Sequence, residues 1–132
     1  MNGNGRVLVM DDEEMIRGMF DKILSRMGYE VESAREGSEA VSLYQKARES
    51  GRTFDAVILD LTVPGGLGGK ETFEQLRDLD PEVKAIVSSG YSNDPILAKY
   101  EDYGFKGMVA KPFDFSELSR TLKAVIHDRR AV

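Results

Sequence analysis

The chain has 132 residues, 41% of them hydrophobic, with a formal net charge of −5 and no cysteine. That length fits one domain around one core. The apolar share excludes a disordered tail, the acidity argues against a nucleic-acid-binding surface, and the missing cysteines exclude disulfides and a thiolate metal site.

No apolar run approaches the roughly 20 residues that span a bilayer. Met1-Asn2-Gly3-Asn4-Gly5 lacks the apolar core of a signal peptide. A cytoplasmic domain without membrane contact is therefore expected, with loose ends at residues 1–5 and 128–132 around a folded unit at residues 6–127.

In chain order, Arg6-Val7-Leu8-Val9-Met10 is an apolar run that predicts a buried strand. Met15, Ile16, Met19, Phe20, Ile23, Leu24 and Met27 recur at helical spacing and predict one apolar stripe, stopped by Gly28. Residues 29–34 read as a second strand. Residues 37–50 read as a helix that buries Ala40, Val41, Tyr44 and Ala47 and stops at Gly51.

Residues 54–60 form the third expected strand, around Ala56-Val57-Ile58-Leu59. A Gly-rich loop at residues 64–69 leads into a helix that ends near Asp80-Pro81, and residues 83–88 are a fourth strand. Asp94-Pro95 offers an N-cap and a first-turn proline for a short helix ending at Gly104. Residues 107–110 are a fifth strand. Asp114-Phe115-Ser116-Glu117 has the form of a capping box, and its helix presents Leu118, Leu122, Val125 and Ile126. Five strand–helix units in succession predict an α/β fold: a five-stranded parallel sheet, doubly wound.

Open α/β sheets bind ligands beyond the carboxyl ends of their strands. Asp11-Asp12 ends the first strand, Asp60 the third, Ser88-Ser89-Gly90 the fourth and Lys111-Pro112 the fifth. Carboxylates converging on one rim repel one another, and Mg²⁺ (or Mn²⁺), which takes hard oxygen ligands, is the natural offset. A carboxylate, a divalent cation, a lysine and a hydroxyl around one point make a phosphoryl-transfer site, where positioning and charge neutralisation carry the reaction. Asp60 is the candidate nucleophile.

Val7-Leu8-Val9-Met10-Asp11-Asp12-Glu13-Glu14, Asp60-Leu61-Thr62-Val63-Pro64, Ser88-Ser89-Gly90 and Lys111-Pro112-Phe113 together resemble the receiver domains of two-component signalling, which have a flavodoxin-like fold. The resemblance covers about residues 6–126. It implies Asp60 as phosphoacceptor, Asp12 as direct metal ligand, Asp11 as a ligand through water, and the Thr62 backbone carbonyl as a further ligand. It also implies Ser89, ahead of the competing Ser88, as the hydroxyl that meets the phosphoryl group, and Lys111 as its ion-pair partner, aimed by a cis bond to Pro112.

The implied partners are a histidine kinase or phosphotransfer protein as donor, and a downstream effector or a linked kinase domain as recipient, with no nucleic acid. The implied readout face runs over residues 94–104, the fifth strand and the last helix, with Tyr100, Tyr103 and Phe105 as contacts. Such a domain catalyses its own phosphorylation and dephosphorylation and is not a turnover enzyme. Residues 89–95 with 103–105 and 110–113 resemble the C-terminal receivers of hybrid sensor histidine kinases.

Two departures stand out. Met108 occupies the usual aromatic switch position, and the loop at residues 64–69 is one residue longer than the common pattern. Tyr91, two residues after Ser89, is placed to screen an acyl phosphate from water.

Plainer readings compete. Asp11 and Asp12 could cap the first helix, and the serines could simply end a strand. Gly69-Lys70 fails as a P-loop because Pro64 and Glu71 occupy the wrong positions; the glycines read better as a flexible loop. His127 reads as a surface helix residue. Two alternative functions are a small phosphohydrolase of the haloacid-dehalogenase type, since Asp60-Leu61-Thr62 fits its D-x-T pattern, and a degenerate receiver that only binds.

Overall fold

The computed structural model describes residues 5–61, 63, 65–66, 68–90, 95–111 and 113–127. Strands β1 (Arg6–Met10), β2 (Glu30–Ala34), β3 (Ala56–Asp60), β4 (Ala85–Ser89) and β5 (Gly107–Ala110) form one sheet. They lie in the order β2-β1-β3-β4-β5, with every neighbouring pair parallel. The chain steps outward from β1 to β2, then returns to build β3, β4 and β5 on the other side. The topological switch point therefore lies between β1 and β3.

β3 and β4 are buried at all five positions, so up to the polar residues at their carboxyl ends (Asp60, and Ser88 with Ser89) they read as continuous apolar runs and not as alternating ones. Among the described residues five α-helices cover the faces: α1 (Glu14–Arg26), α2 (Gly37–Glu49), α3 (Gly69–Leu79), α4 (Pro95–Ala98) and α5 (Phe115–Ile126). On one face Phe20, Leu24 and Met27 of the α1 segment and Leu118, Leu122 and Val125 of α5 pack on Val7, Val9, Ile58, Ile86 and Val109. On the other, Tyr44 of α2, Phe73 and Leu76 of α3 and Leu97 of α4 pack on Leu8, Met10, Val57, Leu59 and Val87.

The expected signals act as local physics requires. Gly28 has φ 94° after α1, a left-handed conformation that costs other residues a Cβ clash. The Asp114 side chain accepts from the Glu117 backbone N–H at 2.7 Å and so caps α5. The expected loose ends, apart from Gly5, lie outside the described residues, as does Asp94.

Four expectations are corrected. The apolar stripe of α1 is narrower than its spacing suggests: Met15 is 79% and Met19 43% exposed. Both fall on the flank of a helix whose buried line runs through Phe20 and Leu24. The helix expected before Gly104 is α4 followed by a separate 3₁₀ turn, Tyr100–Tyr103; Lys99 between them has ψ 38°, outside the helical range. Phe105 is not a partner contact, because it is buried and stacks on Phe73 with ring centroids 4.5 Å apart. Strand β4 runs one residue further than expected, so that it contains both Ser88 and Ser89.

Candidate functional site

Asp11 follows β1 directly, Asp60 ends β3 and Lys111 follows β5 directly. The pleat alternates side chains between the two faces. Val7, Val9, Ile58 and Val109 point to the α1/α5 face, so Asp11, Asp60 and Lys111 continue that face at the rim. The Lys111 ammonium sits 2.6 Å from Asp11 Oδ2, 3.4 Å from Asp60 Oδ1 and 4.0 Å from Glu13 Oε2. Asp11 and Asp60 are almost fully buried, whereas Asp12 is exposed.

One oxygen atom from each of Asp11, Asp12 and Asp60 lies within 4.8 Å of the others. Ligand oxygens on an octahedral Mg²⁺ with bonds of about 2.1 Å are about 3 Å apart when adjacent and about 4.2 Å apart when opposed. A small inward shift of these side chains therefore suffices to hold such an ion. The donor set is all carboxylate oxygen, which suits Mg²⁺. Among the described residues Asp11 Oδ2 makes no well-directed hydrogen bond, and its contact with Lys111 is an ion pair.

Electrostatics show the strain of this crowding. Burial, then the neighbouring Asp11 charge, pushes the Asp60 carboxyl up to about 6, and Lys111 offsets only part of this. For Lys111, burial pulls the ammonium down, but the facing Asp11 and Asp60 carboxylates outweigh it and the net shift is upward.

The capping reading of Asp11 is half right. Its Oδ1 accepts from the Glu13 backbone N–H at 2.9 Å at the start of α1, while Oδ2 faces the lysine. One residue escapes the sequence reading: Arg17, one turn into α1, donates to the Asp11 backbone carbonyl at 2.8 Å. Only an i, i+6 separation across a strand–helix junction could flag it.

The glycines after Asp60 have a specific task that the flexible-loop reading misses. Gly69 opens α3 and is buried. A Cβ there would come within 2.8 Å of the Asp60 carbonyl oxygen and 3.2 Å of Leu61 Cα. Glycine thus lets the α3 start close against the Asp60 backbone. Thr62, Pro64, Tyr91 and Pro112 lie outside the described residues. Ser88 and Ser89 are both buried at the end of β4. Met108 is half-buried and packs on the α2/α3/α4 side of the sheet.

Residues 7–123 match the family model of the response regulator receiver domain. This chain belongs to that family. It is a receiver domain of two-component systems, and its Asp11, Asp12 and Asp60 pocket fits the acidic site at which receiver domains bind Mg²⁺. The receiver is 31% identical over 121 residues to the chemotaxis protein CheY of Thermotoga maritima, covering 91% of this chain and 96% of that one. It is 29% identical over 126 residues to the sensor kinase CckA of Brucella abortus, covering 96% of this chain but only 13% of that one.

Among solved structures, the response regulator protein TrrA of Thermotoga maritima in complex with Mg²⁺–BeF superposes with a TM-score of 0.76 at 33% identity, covering 92% of this chain and 98% of that one. The haloacid-dehalogenase alternative falls with the family match. Among the described residues, no helix is long and apolar enough to cross a membrane.

Proposed function

We propose that this receiver takes a phosphoryl group from a phosphohistidine onto Asp60. The observation that carries the reading is the buried Asp60 carboxylate held 3.4 Å from the Lys111 ammonium, within a three-carboxylate cluster. An Asp60 carboxylate oxygen attacks phosphorus, the P–N bond to the donor imidazole breaks, and the imidazole leaves with the bond's electron pair and takes up a proton. Asp12 would hold Mg²⁺ directly and Asp11 through water, with Asp60 and the Thr62 carbonyl as the remaining protein ligands. When bound, the ion would supply charge neutralisation for the phosphoryl oxygens.

Lys111 lies within reach of both Asp11 and Asp60, so the same ammonium can follow the negative charge to the phosphoryl group. The Ser89 hydroxyl, at the last position of β4, donates to a phosphoryl oxygen and couples the rim to the segment that follows. The two phosphorylation states then bias a pre-existing conformational equilibrium. The readout face is α4, the 3₁₀ turn with Tyr100 and Tyr103, β5 and α5. Because Met108 replaces an aromatic switch residue, repacking of a flexible thioether carries the signal.

The donor is a histidine kinase or phosphotransfer protein, and the setting is cytoplasmic. The extensive match to a short stretch of a sensor kinase supports a receiver from a hybrid histidine kinase. Incubation with acetyl phosphate and Mg²⁺, followed by mass spectrometry, tests the reading. A labile gain of one phosphoryl group mapped to Asp60, absent in Asp60→Asn, is expected. Labelling that survives in Asp60→Asn, or none in the unaltered protein, contradicts it.

A further inference from the structure

Ser88 occupies a place where a buried central strand of a parallel sheet ordinarily carries valine or isoleucine. It is 1% exposed, and its Oγ has no hydrogen-bond partner among the described residues. A buried hydroxyl left unpaired costs stability that an apolar side chain of similar size would not. Ser88 is also the register partner of Asp60 on β3 and of Val109 on β5. Register partners in a parallel sheet point to the same face, so Ser88 shares the α1/α5 face with Asp11, Asp60 and Lys111. Ser89, the last residue of β4, alternates to the other side of the strand, from which its hydroxyl would meet a phosphoryl group standing beyond the strand ends.

We propose that Ser88 is a positioning residue for Asp60, distinct from the hydroxyl that meets the phosphoryl group. Adjacent strands lie about 4.8 Å apart. Rotation about one side-chain bond is enough to bring a serine hydroxyl to the carboxylate of its cross-strand neighbour. There the Ser88 hydroxyl donates to the Asp60 oxygen that stays outside the new O–P bond. This fixes the plane of the carboxylate and aims the other oxygen at phosphorus. The idle hydroxyl gains its partner in the same movement. The inference rests on Asp60 as the phosphoacceptor.

Threonine and valine at position 88 have nearly the same shape and differ by the hydroxyl, so Ser88→Thr, Ser88→Val and Ser88→Ala separate the hydrogen bond from volume. The measurement is the rate of Asp60 labelling at saturating acetyl phosphate, with the donor KM and the calorimetric Kd for Mg²⁺ taken alongside. Ser88→Ala and Ser88→Val are expected to be slowed about tenfold, the loss of one charge-assisted hydrogen bond. Their KM and Mg²⁺ Kd should stay within about twofold, and Ser88→Thr should restore most of the rate.

If Ser88→Ala and Ser88→Val label as fast as the unaltered protein, the inference is overturned while the Asp60 reading stands. It is overturned in the same way if threonine and valine are slowed equally, or if the rate falls only in step with Mg²⁺ affinity. If the unaltered protein does not label at all, the phosphoacceptor reading fails and takes the inference with it.

Discussion

The two ends of the sheet solve opposite electrostatic problems. At the carboxyl end, Asp11, Asp12, Glu13 and Asp60 face Lys111 and Arg17, leaving an excess of negative charge, with two of the carboxylates almost fully buried. At the amino end, Arg6 and Arg52 meet three carboxylates, Glu30, Glu32 and Asp55, and nearly offset them. Arg6 pairs with Glu30 at 3.2 Å and with Glu32, donates to the Arg52 carbonyl, and lies 4.5 Å over the Phe54 ring. Arg52 adds a 2.7 Å pair to Glu30. One rim uses its polar groups to hold the strands in register, whereas the other keeps a deficit of positive charge that no described side chain fills. The lesson is that function sits where the protein leaves its own charges unbalanced.

Removing the rim's lysine should give the largest effect. Lys111→Met keeps most of the volume but leaves Asp11 and Asp60 buried without their cation. Denaturant unfolding at pH 7 in chelator should show a loss of roughly 2–4 kcal/mol, and added Mg²⁺ should recover part of it.

Asp60→Asn should act in the opposite direction. The folded carboxyl titrates near 6, whereas an unfolded aspartate titrates near 3.9. Between those values the folded state holds the extra proton. The contribution of this group to stability is thus full below about pH 4 and is lost as the pH rises through about 6. In chelator at pH 7, Asp60→Asn should gain about 1–3 kcal/mol. The gain should vanish near pH 4, which thermal unfolding across pH will check.

The amino-end network should matter less and only for stability. Arg6 is 13% exposed on its side chain, and Arg6→Ala should cost about 1–2 kcal/mol through lost pairs and its stacking on Phe54. Its Asp60 labelling rate should be unaltered. Arg52→Ala, at a side chain 63% exposed, should cost less than about 0.5 kcal/mol. A labelling defect in either variant would blur the division between the two ends.

The sheet is legible in the sequence because doubly covered parallel strands are apolar through their middles, and β1, β3 and β4 carry apolar runs at residues 7–10, 56–59 and 85–87. The rim is legible because Asp11, Asp60 and Lys111 are polar residues placed where apolar runs stop. Periodicity locates a stripe but not its width, so spacing assigns Met15 and Met19 to a face that does not cover them.

Phe105 follows a glycine stop, where an aromatic serves core or surface equally well; only the Phe73 ring opposite decides the matter. The serines are the hardest to place. A one-residue slip in register exchanges the two faces, and only the register of β4 with β3 places Ser88 beside Asp60.

The unbalanced rim should take up a divalent cation. Calorimetric titration of the metal-free protein with Mg²⁺ at pH 7, beside Asp12→Asn and Asp60→Asn, measures this directly. We expect one site in the unaltered protein and at least tenfold weaker binding in each variant. No binding, or equal affinity in all three proteins, would contradict the account.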